Sequence, residues 1–125
     1  MELGDAPLPG TALAEELDKQ LLVQLRDGRK ILGVLRSFDQ FANLVLEGSV
    51  ERVFVGEQYG DIPLGLQLIR GENVVLLGEI DPSRPAPAGF TQTDPGEIMQ
   101  AQRAEKQLNK LKATIRSRMD FLDLE

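Results

Sequence analysis

Neither cysteine nor histidine occurs among the 125 residues, tryptophan is missing too, and aromatic side chains make up only 5%. Without thiols there is no disulfide framework and no thiolate metal site, a composition that suits a reducing compartment. Without imidazole, the commonest metal ligand and the commonest general base are both lost. Ser37, Ser49 and Ser83 therefore have no histidine to activate them, and Glu15, Glu16, Glu72 and Glu79 fall in no recognisable acid–base constellation. An enzyme is not the expected reading, and no cofactor is called for. No stretch reaches the roughly 18 apolar residues that a membrane helix needs. The opening MELGDAPLPG lacks the basic start and apolar run of a secretory signal.

Positive charge is also scarce where a nucleic-acid binder would want it: 14 basic against 20 acidic residues give a net charge of −6. Residues 1–19 hold five acids and one lysine, residues 20–80 eight acids and six bases, and residues 81–125 seven of each. Only Ala101 to Met119 is locally basic, with Arg103, Lys106, Lys110, Lys112, Arg116 and Arg118 against Glu105. If RNA is the ligand, stacking and base-edge hydrogen bonds must do more than phosphate attraction.

What is present is a strand pattern. Leu21, Val23 and Leu25 alternate with Leu22, Gln24 and Arg26, and Asp27-Gly28 predicts a two-residue hairpin turn. Ile31–Phe38 is a second strand in which Gly33 marks a bend or close backbone approach. After the loop Asp39-Gln40-Phe41-Ala42-Asn43, a long third strand is expected from Asn43 to Val55, bent at Gly48-Ser49. Gly56 to Pro63, with two glycines and a proline, reads as a turn-rich connection and matches no phosphate loop. Leu64–Ile69 and Val74–Ile80 are strands four and five, joined by a tight loop at Arg70–Asn73. Both are apolar on two faces, as strands are that want cover or a partner at an edge. Such a domain is small for one core, and completion by oligomerisation would be natural.

Residues 1–9 read as a disordered lead, and Thr11 can cap a short helix to about Lys19, with Leu13 and Leu17 on one side. Residues 82–93, with Pro82, Pro85 and Pro87, form a stiff linker without a core pattern. Asp94-Pro95-Gly96-Glu97 opens an amphipathic helix over 94–125. Its stripe of Ala101, Ala104, Leu108, Leu111, Ile115, Met119 and Leu122 has to lie against another chain or a face of an assembly, and Arg103, Lys106 and Lys110 lie opposite.

The D-x-F-x-N loop behind a DGR hairpin, followed by Leu68-Ile69-Arg70-Gly71-Glu72-Asn73-Val74, resembles the two signatures of the Sm and Sm-like (LSm) family. The resemblance spans about residues 10–81. R-S-F-D-Q-F-A-N-L-V-L and the run from Val50 to Pro63 resemble the branch specific to the cytoplasmic mRNA-decay ring. It implies a mainly β Sm fold, an SH3-like, strongly bent five-stranded antiparallel barrel with a short N-terminal helix over one open end. It implies a heteroheptameric ring in which strand four of one subunit pairs with strand five of the next. The implied ligand is the oligoadenylated or U-rich 3′ end of mRNA, and the outcome decapping and 5′-to-3′ decay in cytoplasmic P-bodies. A Pat-type decapping activator is the implied partner. The alternatives are a nuclear ring on a spliceosomal small nuclear RNA and a barrel that binds only proteins.

The RNA-binding residues carried over are Asp39, Phe41, Asn43, Arg70 and Gly71. Phe41 would be a platform on which a base stacks, worth roughly 1–3 kcal/mol per base. Arg70 would lay its guanidinium over the other face of that base while its donors reach Asp39. Asn43 would read a base edge, uracil for instance, or else satisfy backbone groups of its own loop. Asp39 would hold Asn43 or Arg70, and Gly71 would let the backbone turn tightly toward the ligand. Gln40 and Asn73 are weaker candidates, and Arg36 and Arg52 read as surface or interface charges.

Overall fold

A computed structural model describes residues 13–81, 83 and 86–123, with the side chains of 120–123 excepted. The expected lead 1–9, the Thr11 cap, Pro82 and Pro85 lie outside the described residues. Six strands are β1 (Gln20–Leu25), β2 (Lys30–Phe38), β3 (Leu44–Val55), β4 (Gln58–Ile69), β5 (Val74–Glu79) and β6 (Thr91–Gln92), and helix α1 spans Pro95–Asp123. One sheet holds them in the order β5-β1-β2-β3-β4-β6, antiparallel except for the β4–β6 pair. β5 is thus one edge of a bent sheet; the other is β4, covered by β6 only along Gln58–Tyr59, so β4 and β5 are not partners of each other.

The alternating residues build the core. Leu21, Val23 and Leu25 from β1, Ile31 and Leu35 from β2, Leu44 and Leu46 from β3 and Ile69 from β4 pack in one buried cluster with Leu13. The bend comes from glycine and a buried serine. A Cβ on Gly33 would sit 3.0 Å from that of Ser49 and 3.1 Å from that of Leu46, so β2 and β3 cross there more closely than most side chains permit without a small shift. The register between them shifts at Leu32/Val34, as at a bulge. Ser49 Oγ donates to the Gly65 carbonyl at 2.7 Å, tying β4 to the same bend.

Several local expectations need correction. The β1–β2 turn is a three-residue loop, with Leu25 N–H donating to the Arg29 carbonyl (2.9 Å) and only Gly28 at positive φ, 91°. The Asp27 carboxylate stabilises it by accepting from Arg29 N–H at 3.0 Å, which leaves Asp27 itself out of the left-handed region. Helical residues near the N-terminus stop at Ala14; Asp18 turns to a φ of 64° and its N–H donates to the Leu35 carbonyl, so the chain joins β2 before Lys19.

The connection read between Gly56 and Pro63 is in fact strand. Gly56, at φ 59°, and Glu57 make a two-residue turn, and β4 runs from Gln58 through Pro63 to Ile69. A proline fits there because β4 is an edge, where a missing N–H need not cost a ladder bond. Within the stretch read as linker, Thr91–Gln92 forms β6 along Gln58–Tyr59.

Among the described side chains of α1, those of its first turns pack on the domain. Ile98 is fully buried against Gly60, while Leu108, Leu111, Ile115 and Met119 stay about half exposed. A Cβ on Gly60 would overlap the Ile98 side chain. Gly60→Ala is therefore expected to lift the start of α1 while the barrel survives. Limited proteolysis should cut faster near residues 93–98, with thermal unfolding lowered by about 1–3 kcal/mol; unchanged cleavage would contradict this packing.

Candidate nucleic-acid interface

The first half of the site is a loop wound around one carboxylate. Asp39 Oδ1 accepts from Phe41 N–H (2.9 Å) and Asn43 N–H (3.0 Å), and Asp39 Oδ2 accepts from Asn43 Nδ2 (2.8 Å). Ala42 takes a φ of 61° and donates its N–H to the Asp39 carbonyl. This short aspartate-centred turn forces the Phe41 ring outward, 71% exposed, a position no core phenylalanine occupies. The Asn43 side chain, foremost, and the backbone N–H groups hold the Asp39 carboxyl below its ordinary value of 3.8, against some desolvation.

The second half follows β4. Arg70 is extended, and Gly71–Asn73 makes a single 3-10 turn before β5. Gly71 N–H donates to Asn43 Oδ1 at 2.8 Å, which docks the two loops. A Cβ on Gly71 would overlap the Phe41 carbonyl oxygen and crowd Ala42. Gly71 is thus required by the neighbouring loop's backbone, a different close approach from the one toward a ligand that its motif implied. The β1–β2 loop abuts the same turn, with Arg26 N–H donating to the Asn73 carbonyl (2.8 Å).

Between the loops lies an open cleft of about 820 Å³ lined by Asp39, Phe41, Asn43, Leu68, Arg70, Gly71 and Glu72. All five expected residues line it. Leu68 and Glu72 were not foreseen, although both fall in the second motif; an exposed leucine on an edge strand and a loop glutamate look unremarkable in sequence. The expected Arg70–Asp39 contact does not form. Asp39 is occupied by three N–H groups, and the Arg70 guanidinium instead approaches Glu72, loosely at 3.7 Å and well exposed. Gln40 does not line the cleft, and Asn73 meets its neighbours through its backbone. Arg36 pairs with Asp18 and Glu47, and Arg52 holds Asp61 through two bonds of 2.8 and 2.9 Å, both away from the cleft.

Chemically, the cleft presents an exposed ring, an exposed guanidinium and an apolar leucine, with Asp39 and Glu72 giving two negative charges against one positive. That arrangement favours a flat, uncharged group between Phe41 and Arg70 over an isolated phosphate.

The LSM domain family matches residues 11–79, and this chain belongs to that family, whose members are Sm-like proteins. Within the family it is similar to Sm-like protein one. It is 61% identical over 116 residues to Sm-like protein LSM1A of Arabidopsis thaliana, covering 92% of this chain and 91% of that one. It is 56% identical over 70 residues to the LSM1-LSM7 complex subunit lsm1 of Schizosaccharomyces pombe, covering 56% of this chain and 50% of that one. Among solved structures, the SmAP1 heptamer of P. aerophilum superposes with a TM-score of 0.53 at 37% identity, covering 61% of this chain and 97% of that one.

The Asp39 knot carries a pH dependence whose sign is fixed. Its pKa is lowered in the folded chain, so its contribution is present above the ordinary value of 3.8 and is lost as pH falls through the lower folded value. Amide resonances of Phe41, Asn43 and Gly71 should therefore move together on acidification below 3.8. Asp39→Asn should show the displaced positions already at neutral pH; an unchanged acid titration in that variant would contradict the assignment.

Proposed function

We propose that the chain is a non-catalytic RNA-binding subunit of a cytoplasmic heteroheptameric Sm-like ring, and that the cleft takes one nucleobase between Phe41 and Arg70. The carrying observation is that a ring 71% exposed and a guanidinium 29 positions away in sequence line one cleft whose two loops are tied by Asn43 and Gly71. Asp39, Asn43 and Gly71 hold the geometry; Phe41 and Arg70 do the stacking. Asn43 keeps one N–H and part of its oxygen for a base edge.

The two edges supply the assembly. β4 exposes Leu66 and Leu68, each 70%, and β5 exposes Val75 and Leu76. Edges of this kind, apolar and unpaired, fit a strand from a neighbouring subunit on each side. The named fission-yeast relative belongs to an LSM1-LSM7 complex, and that setting supports a ring acting on mRNA 3′ ends, oligoadenylated or U-rich, to promote decapping and 5′-to-3′ decay. P-bodies are the corresponding location and a Pat-type activator the corresponding partner. Similarity to LSM1A runs over 92% of the chain, tail included, which favours this reading over a nuclear ring on a spliceosomal RNA.

The test uses the assembled ring and short RNAs bearing 3′ uridines or adenines. Phe41→Ala and Arg70→Ala should each weaken binding by about tenfold, within the roughly 1–3 kcal/mol range of one base stack. The double variant should fall short of the product, because both remove the same sandwich. Photo-crosslinks should map to residues 39–43 and 68–72. Full affinity and unaltered crosslinks in the double variant would overturn the cleft assignment.

A further inference from the structure

The β4 edge is not open along its whole length. Thr91 N–H donates to the Glu57 carbonyl at 2.9 Å and Thr93 N–H to the Tyr59 carbonyl at 2.7 Å, with Thr93 Oγ1 also on the latter at 3.2 Å. These bonds lay β6 along Gln58 and Tyr59. Phe90 meets the Phe54 ring edge-on at 5.1 Å, and Phe54 lies 5.9 Å from Tyr59, so the junction is also held by aromatic packing. Ile98 then closes over Gly60. The tail thus covers β4 from its first residue through Gly60, and Asp61–Ile69 pairs only with β3 among the described residues.

β6 does not simply extend the edge outward. After Gln92 the chain leaves the sheet, the Asp94 carboxylate accepts from Gly96 N–H at 3.0 Å, and Pro95 has no N–H to offer. A strand sliding along β4 toward Gln58 would meet the tail, not more ladder.

We infer that β6 and the first turn of α1 form an edge stop, which ends the strand-addition surface of β4 at Gly60 and sets the register at which a neighbouring subunit docks on Asp61–Ile69. The strand that fits is the apolar edge of another Sm-type subunit, of the kind β5 represents, six residues long with Val75 and Leu76 exposed. This inference rests on the ring reading above. A stop is useful because six residues on an edge of nine can slide by three, and each single step turns every side chain to the other face. Leu66 and Leu68, two positions apart, lie on one face and need one register to be covered.

Hydrogen exchange on the full chain, alone and within the co-expressed ring, tests this against the variant Thr91→Pro/Thr93→Pro, which removes both donors. In the native chain the Thr91 and Thr93 amides should be protected before assembly, and assembly should add protection over 61–69 and not at 58–60. In the variant, limited proteolysis should cut residues 90–94 about tenfold faster or more. On assembly the newly protected span of β4 should then spread toward Gln58. A variant span confined to 61–69 as before would overturn the stop while leaving the ring reading intact. A ring that forms with no added protection anywhere on β4 would overturn the ring-edge reading itself, whatever β6 does. Amides of β1–β3, which β6 does not touch, report whether the variant is folded. If they lose protection, Phe90→Ala, which keeps every backbone donor, takes its place and must show the same spread.

Discussion

One primary amide holds the site together. Asn43 donates to Asp39 within its own loop and accepts from Gly71 in a loop 28 positions on, so a single side chain fixes two segments that share no covalent neighbour. Two further constraints make that junction narrow: a carboxylate already saturated by three N–H groups, and a glycine whose missing Cβ leaves room for the Phe41 carbonyl. The Phe41 ring and the Arg70 guanidinium, the proposed stacking pair, stay outside this network. The expense of ordering the loops is met during folding, which is the physical sense of preorganisation.

The same separation is what lets the proposed RNA role fit an acidic chain. With −6 overall and two carboxylates beside one guanidinium in the cleft, general attraction to phosphate is not available to it. What the cleft offers is stacking area and orientation, which depend weakly on salt compared with phosphate contacts. Exposed leucines and valines on both sheet edges would be a hazard in a solitary domain; in the proposed ring they become strand-addition surfaces, the counterpart of the cleft.

How far the sequence foretold this follows from where the signals are local. Period-2 alternation in Leu21–Leu25, the bend at Gly48-Ser49 and the D-x-F-x-N loop were legible because each is written in a few adjacent residues. For Asp39, Phe41, Asn43, Arg70 and Gly71, five of the seven residues that line the cleft, membership follows from family resemblance, not from periodicity. What escaped detection is decided by remote partners. Pro63 reads as a breaker until β4 is known to be an edge, Thr91–Gln92 has no strand pattern and becomes one only against Gln58–Tyr59, and Arg70 turns to Glu72 because Asp39 is already engaged. The Asp27-Gly28 turn was placed correctly but given the wrong type, because the Asp27 side chain bonds Arg29 and supplies a conformation that dipeptide statistics do not anticipate.

Ile98 buried on Gly60 also makes the tail a mechanical element. A helix of 29 residues is about 44 Å long at roughly 1.5 Å per residue, and its fully buried anchor, Ile98, lies near one end. From Ile98 to the helix end is about 38 Å, so pivoting by about 10° at the grip sweeps the far end through about 7 Å. Sub-ångström adjustments around residue 60 are therefore magnified at the distant tip, and any neighbour that shifts this strand also steers where the boom points.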